Sequence, residues 1–184
     1  MSIYGFHPKE LPNYSTWAYY NKAFTPEECQ QIAELMPQER LQEATISTSS
    51  KTDEKMRKTK VTWLSPGNKE TDWIFDRIAS FADSCNDGRW GFDLAGFFEN
   101  IQLTHYDEGD FYDWHMDHGD HQFSKRKLSV IMQLTDPSEY EGGEIEFFCN
   151  GTAKQDQGTL IFFPSYLYHR VKPITKGTRR SLVA

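Results

Sequence analysis

The second half of the chain is cut into short pieces. Residues 97–106 (FFENIQLTHY), 127–135 (KLSVIMQLT), 144–148 (EIEFF), 158–164 (GTLIFFP), 168–173 (YHRVKP) and 178–184 (TRRSLVA) are brief segments, several rich in β-branched or aromatic residues. The turn formers DEGD, DPSEYEGG, CNG and TKG separate them. Many short strands with regular turns predict an all-β sandwich or barrel.

The first half reads differently. In 25–35 (TPEECQQIAEL), Thr25 can cap a helix, Pro26 suits its first position, and Glu27 and Glu28 favour the positive end of the dipole. Cys29, Ile32, Ala33 and Leu35 would supply its apolar stripe. A second helix fits 70–86, where Trp73, Ile74, Arg77, Ile78 and Phe81 keep helical spacing. Between them, 45–57 is polar and reads either as a lid or as a plain connector. A single domain spanning 1–184 follows: residues 1–95 give helical support and extra strands, and 96–184 the β core.

Bulk properties narrow the function. With 38% hydrophobic residues and 15% aromatics over 184 positions, a packed globular domain is expected. A net charge of −7 argues against a nucleic-acid partner held by a broad basic surface. Cys29, Cys85 and Cys149 lie far apart with no CxxC pair, which reads as free thiols in a reducing compartment. The opening MSIYGFHPKELP lacks a cationic start and apolar run, and no stretch is apolar enough to span a bilayer. A cytoplasmic protein with no membrane partner is therefore expected.

The segment DFYDWHMDHGDHQF, residues 110–123, carries three histidines and four aspartates. If 112–117 is a strand, His115 and Asp117 share a face while Trp114, Met116 and His118 take the other. Alone, His-x-Asp also describes polar residues at a strand end. His169 lies 54 residues beyond His115, after a Pro-containing turn, and Arg179 follows ten residues later on the presumed last strand. Two histidines and a carboxylate on facing strands suit Fe(II) and leave coordination positions open. Iron in that state needs electrons to activate O2, and a bidentate 2-oxo acid can supply them. The far carboxylate of such a dianion calls for a cation, a task that fits a planar Arg. Arg180 would point away from Arg179 by alternation.

These residues carry a resemblance. YDEGDFYDWHMD, EYEGGEIEF and GTLIFFPSYLYHRVKPITKGTRRSL are similar to the Fe(II)/2-oxoglutarate-dependent oxygenases, in their prolyl 4-hydroxylase-like branch with small microbial and viral members. The resemblance implies a double-stranded β-helix (jelly roll), mainly β with supporting N-terminal helices. It makes His115, Asp117 and His169 iron ligands and Arg179 the anchor for the 2-oxoglutarate C5 carboxylate. Tyr106 matches a co-substrate-contacting Tyr, and Gln133 falls near a second one. The implied reaction couples decarboxylation of 2-oxoglutarate to hydroxylation by O2, with ascorbate as reductant. A prolyl residue of a peptide or protein is the first expectation for substrate, and a free amino acid or other small molecule the second. Many prolyl 4-hydroxylases carry Lys at the anchor position, where this chain has Arg.

Other readings compete. A zinc hydrolase could use the same three ligands, but no general base stands at a telling spacing and Arg179 would lack a purpose. A non-catalytic jelly-roll binding module would more naturally have lost a ligand. His118 and His121 read as non-ligands, His105 as turned outward, and Tyr112 and Trp114 as wall or packing residues. Asp107, Glu108, Asp110, Asp113 and Asp120 read as solvated turn charges. Arg57 and Trp63, beside the 45–57 loop, are candidate substrate contacts.

Overall fold

Local sequence chemistry sets the first helix. In the computed structural model, which describes residues 16–44 and 55–184, α1 spans Pro26–Ala33. Its capping box is complete: the Thr25 hydroxyl accepts from the Glu28 amide at 3.2 Å, and the Glu28 carboxylate accepts from the Thr25 amide at 2.9 Å. α2 spans Asp72–Arg89 and buries Ile74, Phe75, Ile78 and Cys85. The choice between lid and connector for 45–57 falls mostly outside the described residues, as does the opening dodecapeptide. No described helix is long and apolar enough to cross a membrane.

In chain order the strands are β1 (Ala18–Tyr20), β2 (Gln42–Glu43), β3 (Arg57–Lys58), β4 (Lys60–Leu64), β5 (Ile101–Tyr106), β6 (Phe111–His115) and β7 (Leu128–Gln133). They continue as β8 (Tyr140–Gly142), β9 (Ile145–Phe147), β10 (Gly151–Thr152), β11 (Leu160–Pro164), β12 (His169–Val171), β13 (Ile174–Gly177) and β14 (Arg179–Val183). Among the described residues they form a seven-stranded sheet, β1-β11-β7-β14-β5-β4-β2, and a five-stranded sheet, β10-β9-β12-β6-β3. β13 and β8 pair separately. All pairings are antiparallel, and the chain crosses between the two larger sheets from β5 to β6 to β7 and again from β11 to β12 to β14. That crossing pattern fits a jelly roll.

Strand alternation divides the apolar residues into two cores. Leu103, Val130, Met132, Leu160, Phe162 and Leu182 face Ile32, Ile74 and Ile78 of the helices. The residues between them on the same strands, Tyr106, Ile131, Ile161 and Phe163, face inward toward Ile145, Phe147 and Val171 of the smaller sheet. The inward face of the larger sheet is therefore where β5, β7 and β14 can present polar side chains to a shared interior.

The expected strands of the second half are present with trimmed ends. Two strands of the first half, β3 and β4, add to the smaller and larger sheets by pairing with β6 and β5.

Candidate active site

His115 and His169 meet because β6 and β12 pair with these two residues directly opposite each other. Asp117 lies two residues past the end of β6, and its amide donates to the Ser165 carbonyl at 3.0 Å. One Asp117 oxygen stands 3.7 Å from His115 Nε2 and the other 3.9 Å from His169 Nε2. These three residues are the one group of at least three possible metal ligands found together among the described residues, their ligand atoms within 4.8 Å of one another.

The ring nitrogens facing away from the cluster are already engaged. His115 Nδ1 bonds the Asp113 carbonyl at 2.7 Å, and His169 Nδ1 bonds the Leu167 carbonyl at 2.9 Å. A carbonyl only accepts, so each Nδ1 carries the proton and each Nε2 offers a lone pair toward Asp117. Burial, reinforced by His169, pushes the His115 pKa down to about 3, so its neutral form prevails. Burial works to raise the Asp117 carboxyl, but the two histidines and the Ser129 hydroxyl outweigh it and hold it below its ordinary value. Two neutral imidazole nitrogens and an ionised carboxylate are a fitting donor set for Fe(II).

Arg179 is 1% exposed, the largest wholly buried side chain. One terminal nitrogen donates to Gln133 Oε1 at 3.0 Å, while Nε and the other terminal nitrogen have no partner. The Gln133 amide nitrogen is likewise unpaired. The Arg179 guanidinium lies 5.4 Å from the centre of the Tyr106 ring, which β5–β14 pairing sets directly opposite it. Burial raises the Tyr140 phenol, and Arg179 beside it opposes that rise. A buried cation with idle donors costs several kcal/mol unless an anion completes it. The dicarboxylate expected from the sequence has the charge and the acceptor atoms to do so.

Around these groups lies a cavity of about 950 Å³, lined among others by Trp63, Tyr112, Met116 and Arg126. Arg57 is buried, donates to Gln102 Oε1 at 2.8 Å, and stands 4.5 Å over the Tyr112 ring. Trp63 is 48% exposed at the cavity. Both candidate substrate contacts therefore line the same space.

Strict alternation misplaces Tyr112. Opposite β12, His169 pairs with His115 but Val171 pairs with Tyr112, so β6 holds one extra residue in a bulge. The bulge turns Tyr112 inward, where its ring stacks on His115 at 3.4 Å between centroids. Burial pushes its phenol up to about 12. A phenol so placed remains protonated and serves as a wall that fixes the imidazole plane.

One expectation needs correction. Asp110 is not a solvated turn charge: it is 4% exposed, meets Lys58 Nζ at 3.1 Å and accepts from the Asp107 amide at 2.9 Å. His105 lies outside the ligand group and the cavity lining, as expected, and is buried there against Asp107, Nε2 to carboxylate 2.9 Å. His118 and His121 stay exposed and outside the triad.

Known proteins share part of this sequence and its fold. The 2OG-Fe(II) oxygenase superfamily matches residues 101–184. A PKHD-type hydroxylase of Synechococcus sp. (strain CC9902) is 35% identical over 91 residues, covering 48% of this chain and 41% of that protein. Another, from Gloeothece citriformis (strain PCC 7424), is 38% identical over 85 residues, covering 44% and 39%. The chain thus matches about two-fifths of the length of these curated relatives. A Pseudomonas putida prolyl-4-hydroxylase has the same fold, with a TM-score of 0.72 at 22% identity over 91% of this chain and 90% of that one. The viral collagen prolyl hydroxylase of Paramecium Bursaria Chlorella virus-1, solved with 2OG, gives 0.68 at 20% identity over 92% and 94%. Residues 101–184 thus match the 2OG-Fe(II) oxygenase superfamily, and the chain shares its fold with prolyl hydroxylases of known structure.

Proposed function

We propose that the chain is an Fe(II)- and 2-oxoglutarate-dependent hydroxylase of a prolyl residue in a peptide or protein. The observation that carries the cofactor reading is Arg179, buried with two unpaired nitrogens in the cavity that also holds His115, Asp117 and His169. Fe(II) and 2-oxoglutarate, when bound, would supply the electrons that activate O2, the oxidant, so that one oxygen atom ends in succinate and one in the hydroxylated substrate, with loss of CO2.

The chain's own residues bind and orient. His115 and His169 present Nε2 lone pairs held in place by the Asp113 and Leu167 carbonyls. Asp117 adds the single carboxylate. Arg179 would hold the C5 carboxylate through its unpaired nitrogens, with the Gln133 amide as a further donor and Tyr106 as the wall. Buried Ile131, Phe163 and Val171 help exclude water from that end. Ascorbate would serve as the reductant that keeps the iron ferrous.

The cavity mouth supports a polypeptide substrate. Trp63 at 48%, Phe98 at 57% and Met116 at 48% exposure all border it. Such an open aromatic rim can receive a chain that continues on either side of the reacting residue, and proline docks well on aromatic faces. The substrates named for the fold neighbours, prolyl residues among them, point the same way. Free Cys29, Cys85 and Cys149 support a reducing compartment such as the cytoplasm.

Succinate release from 2-oxoglutarate with Fe(II), ascorbate and O2 tests this, with and without a panel of Pro-rich peptides. The expected result is turnover that disappears in His115→Ala and rises with a peptide that gains one oxygen atom. Stimulation by free amino acids alone would move the substrate to a small molecule. No turnover under any condition would favour the binding-module reading.

A further inference from the structure

Asp117 is the ligand that strand geometry does not hold, since β6 ends at His115. An aspartate side chain is short and takes few rotamers, so the place of its main chain decides where its carboxylate can reach. The Asp117 amide and that of His118 both donate to the Ser165 carbonyl, at 3.0 and 2.9 Å. The Asp117 carbonyl is held separately, by a single cation.

We infer that Arg126 is a positioning residue that pins the Asp117 main chain and ties it, through Glu99, to the loop at the cavity mouth. This deepens the proposed function and rests on its metal reading. One Arg126 terminal nitrogen donates to the Asp117 carbonyl at 3.0 Å. Its Nε donates to the Glu99 carboxylate at 2.6 Å, and the other terminal nitrogen pairs with the same oxygen. All three guanidinium nitrogens are therefore engaged. The Arg126 carbonyl in turn accepts from His118 Nδ1 at 3.2 Å. Arg126 thus grips residues 117 and 118 with its side chain and its backbone at once, which gives the non-ligand His118 a place in the site.

Glu99 lies in the stretch between α2 and β5, and the neighbours of Arg126 hold the same stretch. Lys125 Nζ stands 4.2 Å over the Phe98 ring, and Lys127 Nζ donates to the Asp93 carbonyl at 2.5 Å. Three consecutive cations fasten residues 93–99 to 125–127, and both segments line the cavity. Of the three, Arg126 is the one that also bonds a metal ligand.

The ion pair itself is half-exposed and contributes little to stability. Its importance is geometric: the planar fork sets one edge on Glu99 and leaves the remaining nitrogen aimed at Asp117. Glu99 fixes the guanidinium, and the guanidinium fixes the ligand's main chain. Loss of an outer partner of a metal ligand weakens metal binding by about 10–100-fold. Glu99 acts only through Arg126, so its effect vanishes once Arg126 is gone.

Calorimetric titration of the metal-free protein with Mn(II) tests this without turnover. Wild type is compared with Arg126→Ala, Glu99→Ala, Glu99→Gln, the double variant Arg126→Ala/Glu99→Ala and His115→Ala. Arg77→Ala is the control, since it breaks a 2.6 Å ion pair with Glu28 that lies outside the cavity lining. Melting curves of each metal-free protein accompany the titrations. Arg126→Ala should bind Mn(II) about 10–100-fold more weakly, and Glu99→Ala should show a smaller loss. Glu99→Gln, which keeps an acceptor oxygen, should recover most of that smaller loss. The double variant should bind no more weakly than Arg126→Ala, and Arg77→Ala should melt lower but keep wild-type affinity. Wild-type affinity in Arg126→Ala, with binding abolished in His115→Ala, would overturn the inference and leave the metal reading intact. Losses that add in the double variant would overturn the tether through Glu99. Equal weakening in Arg126→Ala and Arg77→Ala would reduce Arg126 to general stability and also overturn it. No Mn(II) binding by wild type would overturn the metal reading and the inference together.

Discussion

Gly143 is where the backbone makes room for Arg179. Its φ is +67°, and a Cβ there would come 2.4 Å from Ile174 Cδ1 and 2.9 Å from Arg179 Cδ. The Ile174 methyl is a flexible end that can swing aside, but Arg179 is fully buried and tied to Gln133. Gly151 is a natural control: its φ is +83°, with nothing within 4 Å of an added Cβ. Alanine at either position costs about 1–2 kcal/mol for left-handed backbone. At Gly143 overpacking adds about 1–3 kcal/mol, so the sum is about 2–5 kcal/mol. At about 2–4 °C per kcal/mol for a chain of this size, Gly151→Ala should lower Tm by about 2–8 °C and Gly143→Ala by about 4–20 °C. The functional consequence separates them further. A guanidinium pushed out of line loses a charge-assisted hydrogen bond worth about 1.5–3 kcal/mol, or roughly 10–150-fold in 2-oxoglutarate affinity. Calorimetry on Mn(II)-loaded protein should show that loss in Gly143→Ala alone. Binding of pyruvate, which has no distal carboxylate, should be equal in both variants. Unchanged 2-oxoglutarate affinity in a folded Gly143→Ala protein would refute the reasoning.

Other elements give independent tests. Arg77, 2.6 Å from Glu28, ties α2 to α1 and lowers the Glu28 carboxyl below its ordinary value. Because the folded pKa is depressed, this stabilisation is present above the unfolded pKa of about 4.3 and is lost as pH falls through the lower folded value. Denaturant titration should therefore show Glu28→Gln weaker than wild type by up to about 1 kcal/mol at pH 7, with the gap closed at pH values below the folded pKa; a gap that persists there would contradict the pairing. Cys149 is exposed, while Cys29 and Cys85 are buried and burial pushes the Cys29 thiol up to about 12. A thiol reagent at mildly alkaline pH should modify one cysteine in the native protein and three after denaturation; rapid native reaction at two or three sites would show the helical core to be open.

The sequence made some of this structure plain and hid the rest for physical reasons. α1 was legible because its cap, proline and acidic first turn are local signals that act within a single turn. Strands β5, β7 and β11 were legible because β-branched and aromatic runs ended at glycine or aspartate. His115, His169 and Arg179 could be named because residue type and chain order carried them. Their convergence depends on β6–β12 and β5–β14 pairing, which no local signal specifies. β3 and β4 were hidden: RKTKVTWL is basic and short, and its partners lie about 40 or more residues away at 101–112. Asp110 looked like any turn carboxylate, since only the fold brings Lys58 over it. Tyr112 was rightly read as a wall residue, but its inward turn was hidden because a bulge breaks the two-residue period without marking the sequence. Asp117 shares a side with His115 for a reason other than alternation: it lies beyond the strand and is held by the Ser165 turn.

Anaerobic equilibrium binding of Fe(II) and 2-oxoglutarate tests the central assignment most directly, in wild type, Asp117→Ala and Arg179→Met. The account predicts one Fe(II) per chain in wild type, with 2-oxoglutarate binding that requires the metal. Asp117→Ala should lose the iron; Arg179→Met should keep it and bind 2-oxoglutarate far more weakly. Iron retained in Asp117→Ala, or 2-oxoglutarate held as tightly without Arg179, would contradict it.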